Sequence, residues 1–133
     1  MIRMVFIFFL ILFPAKVIAG NDGYICIISE IRELGVTGSL PPHKGIYSQL
    51  IGSSFSINRS TGQVIGLHFS TEAYREAKIL DRGSKSNAFK LMITSYPPNI
   101  LVKYIYVKEL QESEDKPFWG SADGDNIYAG ICK

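Results

Sequence analysis

His43 and His68 are the side chains whose ordinary pKa suits them to proton transfer near neutral pH, and the chain has only these two histidines. A hydrolase built on either one needs it within hydrogen-bond reach of a serine or carboxylate in a concave site, with Ser53, Ser54 and Ser70 as nucleophile candidates. His43 falls in the loop-like run Pro41-Pro42-His43-Lys44-Gly45 and His68 beside a strand end, where a solvated or packed imidazole is the simpler reading. The chain contains no nucleophile elbow, P-loop, H-E-x-x-H, C-x-x-C or dinucleotide fingerprint. Catalysis would therefore have to be assembled from scattered residues.

Asp123-Gly124-Asp125-Asn126 resembles the start of a calcium loop, but the bidentate Glu expected near the twelfth position is missing, so a tight turn is the better reading. The two cysteines and two histidines are too dispersed to form a recognisable metal-ligand set, and no cofactor is expected. Glu109, Glu112, Glu114 and Asp115 offer a basic partner a docking point, although an acidic run between strands usually marks a solvated loop. Asn58-Arg59-Ser60 matches a glycosylation sequon in what reads as a hairpin turn.

Tyr96, Tyr104, Tyr106, Phe118 and Trp119 are the candidate binding residues. Tyrosine and tryptophan join a large apolar body to one polar tip, which suits them to recognition surfaces. The competing expectation is that these rings fill the barrel or cover a second apolar layer.

These residues are held by a chain of two unlike parts. Arg3, the apolar run Val5 to Phe13, Pro14 and Val17-Ile18-Ala19 follow the layout of a signal peptide cleaved after Ala19. The apolar run is short of the ~20 residues that span a bilayer as a helix, and an uncleaved anchor is the alternative. Arg3 and Lys16 leave with this segment, so residues 20–133 carry 12 Lys+Arg and 12 Asp+Glu and no formal net charge. That balance argues against nucleic acid and anionic membrane partners, which need a local excess of cations. A periplasmic or secreted location follows, with no stable membrane insertion after cleavage.

In an oxidising compartment Cys26 and Cys132 are expected to pair, and free buried thiols are the alternative. Such a bond closes nearly the whole domain and is worth at most ~4–5 kcal/mol by chain entropy. It requires the first and last elements to be neighbours, as when a sheet closes on itself.

Gly, Pro, Asn, Asp and Ser punctuate residues 20–133 at short intervals, separating runs rich in Ile, Val, Tyr and Phe. The spacing predicts strands at Tyr24 to Ile28, continued to Leu34 in preference to a helical turn with Ser29 as cap and Gly35 as stop, and at Phe55 to Ile57, Val64-Ile65, Lys78 to Leu80, Ala88 to Tyr96, Ile100 to Leu110, Pro117 to Trp119 and Asn126 to Cys132. Ile46 to Ile51 has the apolar spacing of a short helix, and Ser70 to Lys78 reads as a loop or short helix. Gly62 is placed for the positive φ of a hairpin turn. In the longest candidate strand, Leu101, Ile105 and Val107 are assigned to one face and Val102, Tyr104 and Tyr106 to the other. The expected fold is all-β with minor helix, an antiparallel barrel or sandwich of about eight short strands in one domain over 20–133, its terminal strands joined by the disulfide.

Tyr24-x-Cys26, Ile51-Gly52-Ser53-x-Phe55-x-Ile57-x-Arg59-x-Thr61-Gly62-x-x-x-Gly66, Leu80-Asp81-x-Gly83-Ser84, Phe89-Lys90, Tyr104-x-Tyr106-Val107, Pro117-Phe118 and Tyr128-x-Gly130-x-Cys132 together resemble a group of small exported proteobacterial proteins of unassigned function. The resemblance spans most of residues 20–133 and implies a periplasmic or secreted protein, with no activity to carry over. A looser likeness to periplasmic lysozyme-inhibitor barrels lies in size and terminal Cys placement only. The expected function is a non-enzymatic envelope binding module for a protein or small ligand. A small hydrolase using His43 or His68 and an envelope structural or assembly component are the alternatives.

Overall fold

A computed structural model of the chain describes residues 22–71, 76–122 and 124–133. The expected signal segment, 1–19, lies outside them, as do part of the 70–78 segment and Asp123. Period-two alternation is the main determinant of what forms. Eight strands run in order: β1 Gly23–Glu33, β2 Ser54–Asn58, β3 Val64–Ile65, β4 Glu76–Arg82, β5 Phe89–Thr94, β6 Val102–Val107, β7 Lys116–Ser121 and β8 Asn126–Cys132. Single 3-10 turns occupy Ile46–Leu50, where a short helix was expected, and Leu67–Phe69.

All pairings are antiparallel, in the order β3-β2-β1-β8-β7-β6-β5-β4. The sheet curves into a half-barrel whose two ends approach each other. A Cβ on Gly62, in the β2–β3 turn, would lie 3.2 Å from Ile79 and 3.7 Å from Ala77, both on β4, and 2.9 Å from Leu91 on β5. Gly62 itself takes φ +77° and donates its N–H to the Asn58 carbonyl. The Asn58 side-chain oxygen accepts the N–H groups of Ser60 and Thr61, so the sequon asparagine serves the turn.

Inside the curve, Phe55 meets Phe69 and Phe118 at ring-centroid distances of 4.9 and 5.3 Å, and Phe69 meets Tyr128 at 5.3 Å. Phe89, Leu91 and Ile93 from β5 and Ile105 and Val107 from β6 complete this core. Burial of such side chains stabilises by ~1.5–3 kcal/mol each.

β1 and β8 form the long central ladder, and Cys26 stands opposite Cys132 in its register. The two are joined by a disulfide, with Cα atoms 3.9 Å apart. The flanking residues Ile25 and Lys133 exchange both backbone hydrogen bonds at 2.9 Å, which fixes the register beside the bridge. A bulge between Ile28 and Glu30 lets Ile28 and Ile31 both face inward although they are three residues apart. Beyond it β2 no longer pairs with β1. Residues 41–43 take its place, with His43 N–H donating to the Ile31 carbonyl and Glu33 N–H to that of Pro41.

Two strand expectations are corrected. The Lys78 to Leu80 strand is longer, spanning Glu76–Arg82. The Ile100 to Leu110 strand is shorter, because the chain leaves the Pro97–Pro98 turn and joins the sheet only at Val102. Leu101 is therefore solvent-exposed, and its expected inward place in the alternation is taken by Lys103. The Lys103 ammonium donates to the His68 carbonyl, which supplies the partner a buried cation requires.

Candidate functional site

Alternation along β6 sends Lys103, Ile105 and Val107 inward and leaves Tyr104 and Tyr106 on the outer face. Along β7 it sends Phe118 and Gly120 inward and Trp119 outward. The β6–β7 register places Trp119 directly opposite Tyr106, with Tyr104 two residues along. The Trp119 ring lies 5.2 Å from that of Tyr104, tilted at 49°, and 6.1 Å from that of Tyr106 in a stacked arrangement. Such pairs contribute ~0.5–1.5 kcal/mol beyond their buried area, so the cluster is held in a defined shape. Trp119 nevertheless keeps 43% of its surface exposed. Partial desolvation, with Tyr106 as the second cause, moves the Tyr104 hydroxyl above its ordinary pKa.

The surface continues on both sides. Met92 of β5 stands opposite Tyr104, and Lys90, within 3.9 Å of Asp81, stands opposite Tyr106. On the β8 side the small Ala129 is paired with Trp119, and Pro117 is paired with Ile131.

The five expected binding aromatics do not form one surface. Phe118 is in the core, where its ring meets Phe55 edge-on. The reason is local: adjacent strand residues point to opposite faces, so Phe118 and Trp119 cannot both face solvent. Tyr96 is exposed but lies beyond the end of β5, in the turn leading to β6. Tyr104, Tyr106 and Trp119 are the members that the fold assembles.

The histidines are also brought near each other. The Tyr47 ring lies 5.4 Å from His43 and 5.1 Å edge-on to His68. His43 Nδ1 is 2.9 Å from a Glu33 carboxylate oxygen, a geometry that fixes the ring. Its Nε2 is buried without a hydrogen-bond partner and abuts Gly45, where a Cβ would come within 2.6 Å. Among the described residues no serine hydroxyl bonds to either imidazole, and Ser48 donates instead to the Gly45 carbonyl at 2.8 Å. The His43–Glu33 pair thus ties residues 41–45 to the end of β1. Among the described residues no three His, Cys, Asp or Glu side chains gather as a metal site, and no helix is long and apolar enough to cross a membrane.

Sequence reasoning missed the buried polar contact at one end of the half-barrel. Tyr24 donates its hydroxyl to Glu109 at 2.5 Å, and the Arg59 guanidinium stands 5.0 Å over the Tyr24 ring and 3.5 Å from the same carboxylate. It also missed the exposed isoleucines of β1 and β8, whose signal was a strand start, Tyr24-Ile-Cys-Ile-Ile28, that is apolar on both faces.

Fold and site together define a disulfide-clasped antiparallel half-barrel with an aromatic cluster on its convex face. The chain matches no family model, no curated protein and no solved structure.

Proposed function

We propose that this chain is a non-enzymatic exported binding module that recognises a protein partner through Tyr104, Tyr106 and Trp119. The observation carrying this reading is that three large rings from two strands meet on the outer face, while the core is filled by other aromatics. A rigid, partly exposed Trp–Tyr cluster loses little conformational entropy on docking, which is why such residues dominate binding hot spots. The signal-like leader, the balanced charge of residues 20–133 and the resemblance to small exported proteobacterial proteins support an envelope or secreted setting.

Affinity capture from envelope extract tests the reading. The wild-type chain is expected to retain a partner that Trp119→Ala loses at least tenfold, the scale of one hot-spot residue. Equal retention by wild type, Trp119→Ala and a mock bait counts against it.

A further inference from the structure

Antiparallel pairing puts the C-terminal ends of β1 and β5 at the same end of the sheet: Glu33 stands opposite Asn126, Ser121 opposite both Ile127 and Tyr104, and Thr94 opposite Val102. Each of these two strands runs into a reversal beyond that end. Residues 34–40 leave β1 and return at Pro41, whose carbonyl accepts the Glu33 N–H, while residues 95–101 join β5 to β6. With β8 and β7 between β1 and β6, the two tips stand ~14 Å apart along the sheet. No residue from Leu34 to Pro42 or from Thr94 to Val102 carries a charge. Leu34, Val36 and Leu40 are exposed on the first tip and Tyr96, Ile100 and Leu101 on the second. Val36 is fully exposed and Ile100 is 63% exposed, so neither tip folds back onto the core.

Much of the backbone hydrogen bonding of both tips is met internally. In the first, Gly35 N–H donates to the Ser39 carbonyl at 2.8 Å, Gly38 N–H to the Gly35 carbonyl at 2.9 Å, and Leu34 N–H to the Asp125 carbonyl at 2.9 Å. In the second, Ser95 N–H donates to the Leu101 carbonyl at 3.1 Å, and the Ser95 hydroxyl donates to the Asn99 carbonyl at 2.6 Å while accepting the Leu101 N–H at 2.8 Å. Pro97 and Pro98 have no N–H to satisfy. We propose that this end of the half-barrel docks reversibly on a zwitterionic lipid bilayer, with both tips seated in its interfacial layer.

Backbone and side chains both favour lipid over a protein partner. Hydrocarbon offers no hydrogen-bond partner, so a segment entering it must arrive with its polar backbone groups paired or missing, and a protein surface imposes no such condition. Leu and Val are under-represented among protein hot spots, whereas a tyrosine beside aliphatic tips suits the headgroup level. Charge selects the kind of lipid. Arg32 and Lys103, next to the tips along β1 and β6, are engaged by Glu30 and by the His68 carbonyl, and Lys44 follows His43, which pairs back at Ile31. Asp125 lies exposed in the β7–β8 loop between the tips, so no local excess of cations draws anionic lipid. The six side chains expose roughly as much carbon as one myristoyl chain, which gives reversible binding only.

Titration with phosphatidylcholine vesicles tests this, on the chain expressed from its full sequence with an environment-sensitive fluorescent amino acid at Val36, at Ile100 or at Lys85, which lies in the β4–β5 turn at the opposite end of the sheet. The expected result is a blue shift at positions 36 and 100 and none at 85, half-complete at ~0.1–1 mM lipid. Ile100→Asp, read from position 36, and Val36→Asp, read from position 100, each raise that lipid concentration at least ~fivefold. Far-UV circular dichroism establishes folding, and if Ile100→Asp does not fold, Val36→Asp decides, because that side chain is fully exposed. Adding phosphatidylglycerol to the vesicles leaves the binding within ~threefold. Trp119→Ala binds vesicles as the wild type does, and Val36→Asp retains partner capture, so the two surfaces fail separately. No shift at either tip up to ~5 mM lipid overturns the proposal, as does an equal shift at position 85, binding that requires anionic lipid, or a protein captured through Val36 and Ile100 without any vesicle binding.

Discussion

Tyr24 and Glu109 lie 85 residues apart in sequence, yet the Tyr24 hydroxyl donates to the Glu109 carboxylate at 2.5 Å. Tyr24 begins the central strand and Glu109 follows β6, so the bond spans the half-barrel between the two halves of its sheet. Arg59, from the β2–β3 turn, adds its charge to the carboxylate and its guanidinium face to the Tyr24 ring. The Arg59 side chain also donates to the Arg82 carbonyl at 3.2 Å, which draws the two ends of the sheet together.

Tyr24→Phe should therefore cost ~1–3 kcal/mol at pH 7, the range for a hydrogen bond to a charged group, while its packing against Phe89 is retained. Urea denaturation measures it. A loss below ~0.5 kcal/mol would show that the contact contributes little.

The same residue sets an alkaline limit. Burial first, and the bond to Glu109 second, push the Tyr24 hydroxyl well above its ordinary value of 10.0. The folded state thus holds this proton more tightly than the unfolded chain does. Its contribution is fully present below pH 10 and is lost as pH rises above that, through the folded value. Stability measured against pH should fall above pH 10 in the wild type and fall less steeply in Tyr24→Phe. Parallel curves would contradict the assignment.

Replacing Cys26 and Cys132 together with alanine should destabilise the fold by up to ~4–5 kcal/mol while preserving the β-sheet signature in circular dichroism, since the strands also pair through backbone bonds. Loss of all sheet structure in the double variant would mean that the ladder depends on the bridge.

At Gly130 β8 leaves no room for a side chain beside β1. A Cβ there would lie 2.0 Å from the Ile27 carbonyl oxygen and 2.8 Å from the Phe118 ring. Backbone on one side and a core ring on the other leave neither neighbour free to yield. Gly130→Ala should cost at least ~3 kcal/mol, measurable as a lower Tm or a failure to recover folded protein. A Tm within a few degrees of wild type would argue that the strands separate there at little cost.

Much of this architecture was legible because alternation is explicit in the chain. Phe89, Leu91 and Ile93 mark β5, Asn126 to Cys132 marks β8, and the Asn58 to Gly62 segment carries its own turn chemistry. Two cysteines near opposite ends of residues 20–133, expected to pair, implied adjacent terminal strands, and the bond between Cys26 and Cys132 meets that expectation. The site was legible in part. Tyr104 and Tyr106 were separated from Ile105 and Val107 by the alternation, although which face is the outer one was left open, and grouping Phe118 with Trp119 ignored the same period-two rule. Lys103 was hidden because its burial depends on the His68 carbonyl, a contact between segments 35 residues apart that no local pattern encodes. The position of the β1 bulge, and with it the inward turn of Ile31, is likewise a property of the pairing with β8.

The most direct test of the central claim is photo-crosslinking in the producing cell, with a photoreactive amino acid placed at Trp119, at Tyr106 and at the exposed Lys44, which is not part of the aromatic cluster. The account predicts a discrete heterologous adduct from positions 119 and 106 and none from position 44. The same adducts from all three positions, or none from any, would contradict a binding surface built on the aromatic cluster.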